Sequence, residues 1–272
     1  AAACNTTGCR NVAIGSCAFD ANLTGNSNVG IGHAALSTNT TGCDNVAIGK
    51  SALNANTTAG SNTAVGFQAL NSTTTGETNT GIGKFAAKNN TTGYQNTAVG
   101  YHSLEQITTG YENTAIGVFA LDANTTGFQN TAAGTLSLTS LTTGDCNTAV
   151  GRSSGNTTTT GDNNVSLGYI AIASSATVSH EITLGNAANN NLRCADTSIS
   201  SLSDLRDKKN IEDIPHGLDY ILAMRPVKFD WNTRDGSRVG KKDYGFIAQE
   251  LDQVEETFGN KEYTRLVSKE NP

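Results

Sequence analysis

Large apolar side chains are scarce in this sequence: methionine and tryptophan occur once each, aromatic residues make up 6% of the chain, and all apolar residues together 36%. A chain of 272 residues and 28.2 kDa has length enough for two ordinary domains. Gly, Asn and Thr nevertheless crowd its first two thirds, so that stretch is either disordered or built by stacking short units. No apolar run approaches the roughly 18 residues that suggest a membrane span, and the start lacks the basic, apolar, small-residue order of a signal peptide. Neither part of the chain holds a basic block, so no nucleic-acid partner is expected. Cys4, Cys9, Cys17, Cys43, Cys146 and Cys194 show no metal-ligand spacing. Cys9 and Cys43 share a repeat column but lie two turns apart, too far for a disulfide at about 4.8 Å per level. Reduced, buried thiols in a chain made in a cytoplasm are the preferred reading. No cofactor and no metal site are expected. Ala1 as the first residue leads us to expect that the natural chain extends upstream.

Charge is unevenly spread. Of 18 Lys and Arg and 24 Asp and Glu, for a net charge of -6, residues 1–200 hold only six and ten, leaving twelve and fourteen for residues 201–272. The second part alone has the composition of a small globular domain.

What the first part has is period. Asn recurs at Asn11, Asn28, Asn45, Asn62, Asn79, Asn96, Asn113, Asn130, Asn147 and Asn164, with Gly four places on, from Gly15 to Gly168. Each step is 17 residues (28 − 11), which marks an array. Counting Asn as the first column, the consensus is N-T-A-I-G-x-x-A-L-x-x-N-T-T-G-x-x. The second and fourth columns are Val or Thr and Ile or Val around a small third, which reads as a short strand ending at Gly. Helix is opposed by the recurrent Gly and Thr pairs. The apolar fourth and ninth columns are expected to form a thin continuous core. The second Gly column, Gly8 to Gly161, is expected to supply positive φ at a corner. Ala59 replaces Gly there in one coil, beside Gly60, so that corner should be displaced. The Asn column either ladders or caps each turn, capping being preferred. Ten levels come to roughly 48 Å, and the small columns suggest several chains around a shared axis.

Variation concentrates in the sixth, seventh and sixteenth columns, with His33, Phe67, Tyr101, Phe85, His102, Phe119, Tyr94, Tyr111 and Phe128. Packing between coils or subunits is the preferred reading, and a surface that stacks on sugar rings or another receptor the alternative. His33 and His102 have no carboxylate or Cys partner in register. The array resembles the heads of trimeric adhesins and, more closely, the β-solenoid shafts of bacteriophage tail fibres and spikes, which implies a homotrimer.

After Gly168 the register is expected to dissolve, with Ser179–Asn186 forming one more strand and turn before a mixed junction. Ser203-Asp204 reads as a helix or turn cap. A chemical alternative is that Lys208, neutral once buried, serves as base to the Ser203 hydroxyl across a non-helical bend. Beyond Pro215, Leu218, Ile221, Leu222 and Met224 form a helical stripe, Val227, Phe229 and Trp231 alternate as a strand, Tyr244–Ile247 is its hairpin partner, and a helix runs from Ala248 to Phe258. Trp231 and Phe246 read as core, and Gln249-Glu250 as helix start or intersubunit hydrogen bonding.

The segment Ser203-Asp204-Leu205-Arg206-Asp207-Lys208-Lys209-Asn210-Ile211, with Gly217-Leu218, Arg225-Pro226-Val227, Phe229-Asp230-Trp231 and Gly245-Phe246-Ile247-Ala248-Gln249-Glu250, resembles the intramolecular chaperone domain of phage tail spikes and fibres, the peptidase S74 family. The resemblance implies a domain that trimerises, helps the preceding β-structure fold and then cuts itself off. Ser203 would be the nucleophile and Lys208 the general base, with cleavage after Leu202. Asp204 and Arg206 would hold the bend, and Asn210 would orient the site. Members usually continue past Tyr263–Leu266 into a long C-terminal helix, whereas this chain stops at Pro272, so either a cut fragment or a short version of the domain is expected.

The expected fold is therefore mostly β. A 17-residue β-solenoid, expected to be trimeric, occupies residues 1–176, a capping and transition segment 177–202, and a small α+β intramolecular chaperone 203–272. The expected role is a structural segment of a virion tail fibre or spike, assembled in the host cytoplasm, that meets a host cell-surface receptor, a glycan being one class, with no membrane insertion and at most a single-turnover self-cleaving serine peptidase activity. A non-phage trimeric adhesin or other structural protein that uses the same domain without efficient cleavage is the alternative. A glycan-degrading spike would need two carboxylates in a cleft, which the array does not offer. An ice-binding surface would need Thr in a flat strand ladder.

Overall fold

The computed structural model describes residues 2–189, 217–230, 240 and 242–258. The chain divides into two compact units, Ala1–Arg193 and Cys194–Pro272, each described here by itself.

The first unit is one parallel β-solenoid. Eleven strands of three residues stack in sequence order, β1 (Val12–Ile14), β2 (Val29–Ile31), β3 (Val46–Ile48), β4 (Thr63–Val65), β5 (Thr80–Ile82), β6 (Thr97–Val99), β7 (Thr114–Ile116), β8 (Thr131–Ala133), β9 (Thr148–Val150), β10 (Val165–Leu167) and β11 (Ile182–Leu184). Each pairs with the next in the same register, as Val46 with Thr63 and Ile48 with Val65. The register does not dissolve after Gly168. Val165 pairs with Ile182 and Leu167 with Leu184, and Glu181 stands where Asn is expected, its amide donating to Asn164 Oδ1 at 2.9 Å.

The core lies elsewhere than expected. The ninth column is inside, with Leu36, Leu53, Leu70, Leu104 and Leu121 all at 0% exposure, but the fourth faces out, with Ile14 58%, Ile82 40% and Ile116 47% exposed. Columns two and four share one face of a strand and column three the other. In so thin a coil only Ala, Gly or Ser fits between the strand and the opposite wall. A Cβ on Gly81 would already lie 3.0 Å from Leu70 Cγ. The apolar interior is thus the Ala of columns three and eight and the Leu of column nine, and two Asn columns share it.

Those Asn residues ladder rather than merely cap. Asn45 donates its backbone N–H and its Nδ2 to Asn28 Oδ1, at 2.9 and 3.1 Å, and the same Nδ2 donates to the carbonyl of Ala59 at 2.9 Å. A second ladder in column twelve links Asn39 Nδ2 to Asn22 Oδ1 at 3.1 Å and Asn56 Nδ2 to Asn39 Oδ1 at 2.6 Å. It fails where Thr73, Ile107, Leu141 and Thr158 replace Asn. There Asn56 Oδ1, Thr73 Oγ1, Asn90 Oδ1, Thr158 Oγ1 and both polar atoms of Asn124 are buried without a hydrogen-bond partner.

Outside the strands, amides also point along the stack, as Leu53 N to Ala69 O at 3.1 Å, Ser51 N to His33 O at 2.9 Å and Ser61 N to Cys43 O at 3.0 Å. To aim them so, columns seven, nine and seventeen take left-handed backbone without being Gly: Ser51, Leu53 and Ser61 have φ of 57°, 47° and 60°. The column expected to use Gly for positive φ does not. Gly42 is needed for close approach, since a Cβ there would sit 2.3 Å from the Ala59 carbonyl oxygen. It is Gly49 and its column mates that take φ near 136°. Nor does Ala59 disrupt its corner's bonding. Its carbonyl accepts from Asn45 and Asn56 Nδ2 at 2.9 and 3.1 Å, matching the bonds of Gly42 to Asn28 and Asn39.

In the second unit α1 (Gly217–Ala223) precedes an antiparallel pair, β12 (Val227–Asp230) with β13 (Lys242–Gly245), and then α2 (Ala248–Phe258). Among the described residues no helix is long and apolar enough to cross a membrane.

Candidate functional site

The residues expected to carry chemistry, Ser203 and Lys208, lie outside the described residues, as do Leu202, Asp204, Arg206, Asn210, Trp231 and the 263–266 region. Among the described residues of the second unit, Arg225 and Glu250 form an ion pair. Arg225 Nε donates to Glu250 Oε2 at 3.1 Å and Nη2 to Oε1 at 2.5 Å, and these bonds raise the guanidinium pKa further. Glu250 sits in the first turn of α2, where a carboxylate also suits the helix dipole. Its role is to tie the segment after α1 to the start of α2, in line with a helix-start function.

The expected apolar stripe of α1 is turned outward. Tyr220 is the buried member and packs edge-on against Phe258 at 5.5 Å. Leu218, Ile221 and Leu222 stay 69%, 51% and 70% exposed, and Phe246, expected in the core, is 51% exposed. Met224 falls beyond the helix end. A domain this small has too little interior to cover both faces of α1, so a single chain presents apolar surface here.

The solenoid contains a second constellation, which the repeat columns conceal. His102 Nδ1 meets Glu105 Oε2, Lys88 Nζ lies 3.8 Å from Glu105 Oε1, and Asp122 occupies the column of Glu105 one coil on. His102 therefore does have carboxylate partners, contrary to expectation. Three residues along its own coil and one coil away are both neighbours in a solenoid. Burial, and after it the Glu105 charge, pushes the Asp122 carboxyl above the usual range, with His102 opposing.

The aromatic columns pack on themselves. Tyr94, Tyr111 and Phe128 stack at 4.9 Å with rings 3° and 1° from parallel, so both faces of Tyr111 are occupied by its neighbours. Phe67, Phe85, His102 and Phe119 follow one another at 5.3, 4.8 and 5.1 Å. The Cys residues differ from expectation: Cys4, Cys9, Cys17 and Cys146 are free and exposed, and Cys43 half-buried.

Comparison with protein families finds a match to the peptidase S74 family, described as the chaperone of endosialidase, over residues 203–260. Curated proteins and solved structures yield no match to the chain. The chain thus carries an S74-type chaperone domain at its C-terminal end, preceded by an eleven-stranded parallel β-solenoid. That arrangement is consistent with the architecture of phage tail fibres and spikes.

Proposed function

We propose that this chain is a segment of a phage tail fibre or spike used in host attachment, whose C-terminal domain aligns three copies, promotes their folding and then releases itself. The observation that carries the reading is the S74 match over residues 203–260 directly after a solenoid. In this reading residues 1–176 form the shaft or head, 177–202 the capping junction and 203–272 the temporary chaperone. The homotrimer is supported by the apolar side chains that a single chain leaves exposed on both units, Ile14, Ile48, Ile82 and Ile116 on the strands and Leu218 and Leu222 on α1.

For release, Ser203 Oγ attacks the Leu202 carbonyl carbon while the neutral amine of Lys208 takes the hydroxyl proton. The Leu202–Ser203 amide breaks, its nitrogen leaves protonated as the new amino terminus, and an ester joins Leu202 to Ser203 Oγ. Water then hydrolyses that ester, which leaves a carboxylate at Leu202 and restores the hydroxyl. No reactant beyond the chain itself and water is required, and one turnover per chain is expected.

Native mass spectrometry of the expressed chain tests both halves. Trimer mass together with a released fragment of residues 203–272, the fragment vanishing in Ser203→Ala and Lys208→Ala while the trimer persists, is the expected result. Full-length mass in the unmodified chain and both variants alike removes the self-cleavage, and monomer mass throughout removes the alignment.

A further inference from the structure

Within the solenoid, His102, Glu105 and Asp122 bring one imidazole nitrogen and two carboxylates together, and all three ligand atoms lie within 4.8 Å of one another. The coils that begin at Asn96 and Asn113 each contribute, so the cluster bridges two levels of the stack. Its Asp122 Oδ1 is fully buried and has no hydrogen-bond partner. Glu105 is only 9% exposed, and Lys88, 3.8 Å from Glu105 Oε1, is its cationic neighbour. The imidazole is held between the rings of Phe85 and Phe119, at 4.8 and 5.1 Å, with Tyr101 at 4.0 Å. Its backbone is left-handed, with φ of 54°.

We propose that His102, Glu105 and Asp122 form a binding site for one first-row divalent transition cation of the Zn2+ class, which staples these two coils together. Two stacked carboxylates in half-buried surroundings repel each other, and an ammonium that reaches only one leaves the other uncompensated. A divalent ion satisfies both and fills the vacant valence of Asp122 Oδ1. Imidazole nitrogen with two carboxylate oxygens suits Zn2+ and its neighbours, whereas Mg2+ and Ca2+ prefer all-oxygen sets. Ligand lengths of about 2.0–2.2 Å place tetrahedral donors about 3.3 Å apart, so side-chain adjustment on the order of 1 Å closes the shell and leaves a fourth position for water. Lys88, whose side chain is 31% exposed, has room to swing toward solvent as the ion enters.

The site falls where the amide ladder is interrupted. Column twelve links Asn to Asn only as far as Asn56, and between these two coils Ile107 faces Asn124, whose Nδ2 and Oδ1 are both unpartnered. A cation on the neighbouring columns supplies a cross-coil tie where the amide tie is missing.

The test uses the full chain with its exposed thiols alkylated, so that cysteine cannot compete, stripped by chelator and titrated with Zn2+ in a calorimeter. Saturable uptake of one Zn2+ per chain is expected, with slower amide exchange over residues 104–122 and no response to Mg2+. Asp122→Asn and His102→Gln each weaken uptake by about tenfold or more, while Lys88→Gln, which removes the competing charge, strengthens it. Absence of saturable uptake by the unmodified chain overturns the proposal, as does uptake that survives in both ligand variants. Should a ligand variant fail to fold by circular dichroism, the direction of the Lys88→Gln change decides, and weaker uptake there overturns it as well.

Discussion

Asn124 shows what a single residue contributes to a stack. An Asn in column twelve finds partners on the next coil and in the carbonyl three residues on: Asn39 Nδ2 donates to Asn22 Oδ1 and Gly42 O, and Asn90, between Thr73 and Ile107, keeps only its bond to Gly93 O at 2.9 Å. Between Ile107 and Leu141, Asn124 has neither, and its side-chain oxygen and nitrogen are buried unpaired. Each such group costs about 1–3 kcal/mol. Asn124→Leu, which continues the apolar run of Ile107 and Leu141, is therefore expected to stabilise the solenoid by about 1–3 kcal/mol in a denaturant titration; a loss of stability would mean that the amide has a partner. Gly49 is the opposite case. With φ of 136° and a prospective Cβ 2.4 Å from the Gly66 oxygen, Gly49→Ala should cost about 4 kcal/mol or more, and a melting temperature within a few degrees of the parent would contradict that assignment. The column of Gly was legible in the sequence. Which Gly is needed for φ and which for close approach was not, since both demands leave the same letter. The left-handed Leu53 carried no signal at all, because burial of its side chain offsets a backbone cost of roughly 1–2 kcal/mol.

At the scale of one strand, alternation tells which residues share a face but not which face is inside. Ile48 and Leu53 look equally core-like in sequence, yet only Leu53 is buried, while Ile48 is 38% exposed. Leu53→Ala should cost about 2–5 kcal/mol of unfolding free energy. Ile48→Thr combined with Ile82→Thr and Ile116→Thr should change the single-chain value by about 0.5 kcal/mol or less per site but weaken self-association, read by sedimentation across a concentration series. A large loss of monomer stability would return the fourth column to the core. The last coil makes a pH prediction. Glu181 accepts from Ser174 Oγ at 2.5 Å, Ser174 N at 2.8 Å and Thr183 Oγ1 at 3.0 Å, and these bonds, the Ser174 hydroxyl foremost, lower its pKa against an opposing burial effect. A depressed folded pKa means that the loop's stabilisation is complete above the ordinary carboxylate value and is lost as pH falls through the folded one. The Ser174 amide should then exchange faster, relative to that of Thr159, as pH falls through the acid range, and Glu181→Gln should remove this dependence. A pH-independent ratio in the parent protein would show that the carboxylate does not close the loop.

For the whole molecule the decisive quantity is the first rung. Parallel pairing of strands 17 residues apart in one chain closes a short loop at each step, but in the proposed trimer aligning three chains adds a cost that no local contact offsets at the start. A domain that gathers the chains lowers that cost and can then be discarded. Refolding of residues 1–202 alone is expected to be slower than that of the full Ser203→Ala chain by an order of magnitude or more, followed by recovery of trimer mass after dilution from denaturant. Equal rates would remove the chaperone role without touching the solenoid.

The period, the strand positions, the stacking in register and the helix of residues 248–258 were all set by local sequence, because a repeated residue at fixed spacing must meet its own copy on the next level. The proposed chemistry of the junction rests on the sequence alone, through Ser203, Lys208 and the residues around them, which lie outside the described residues. Other features required the assembled coil: which apolar column faces inward, that Asn bonds to Asn, that an eleventh level follows Gly168, and that His102 meets Glu105 and Asp122. In each case the physical reason is the same. A one-dimensional pattern states which residues coincide along the stack, while the narrow width of the coil, a tertiary property, decides which of them fit inside and which side chains from adjoining columns converge.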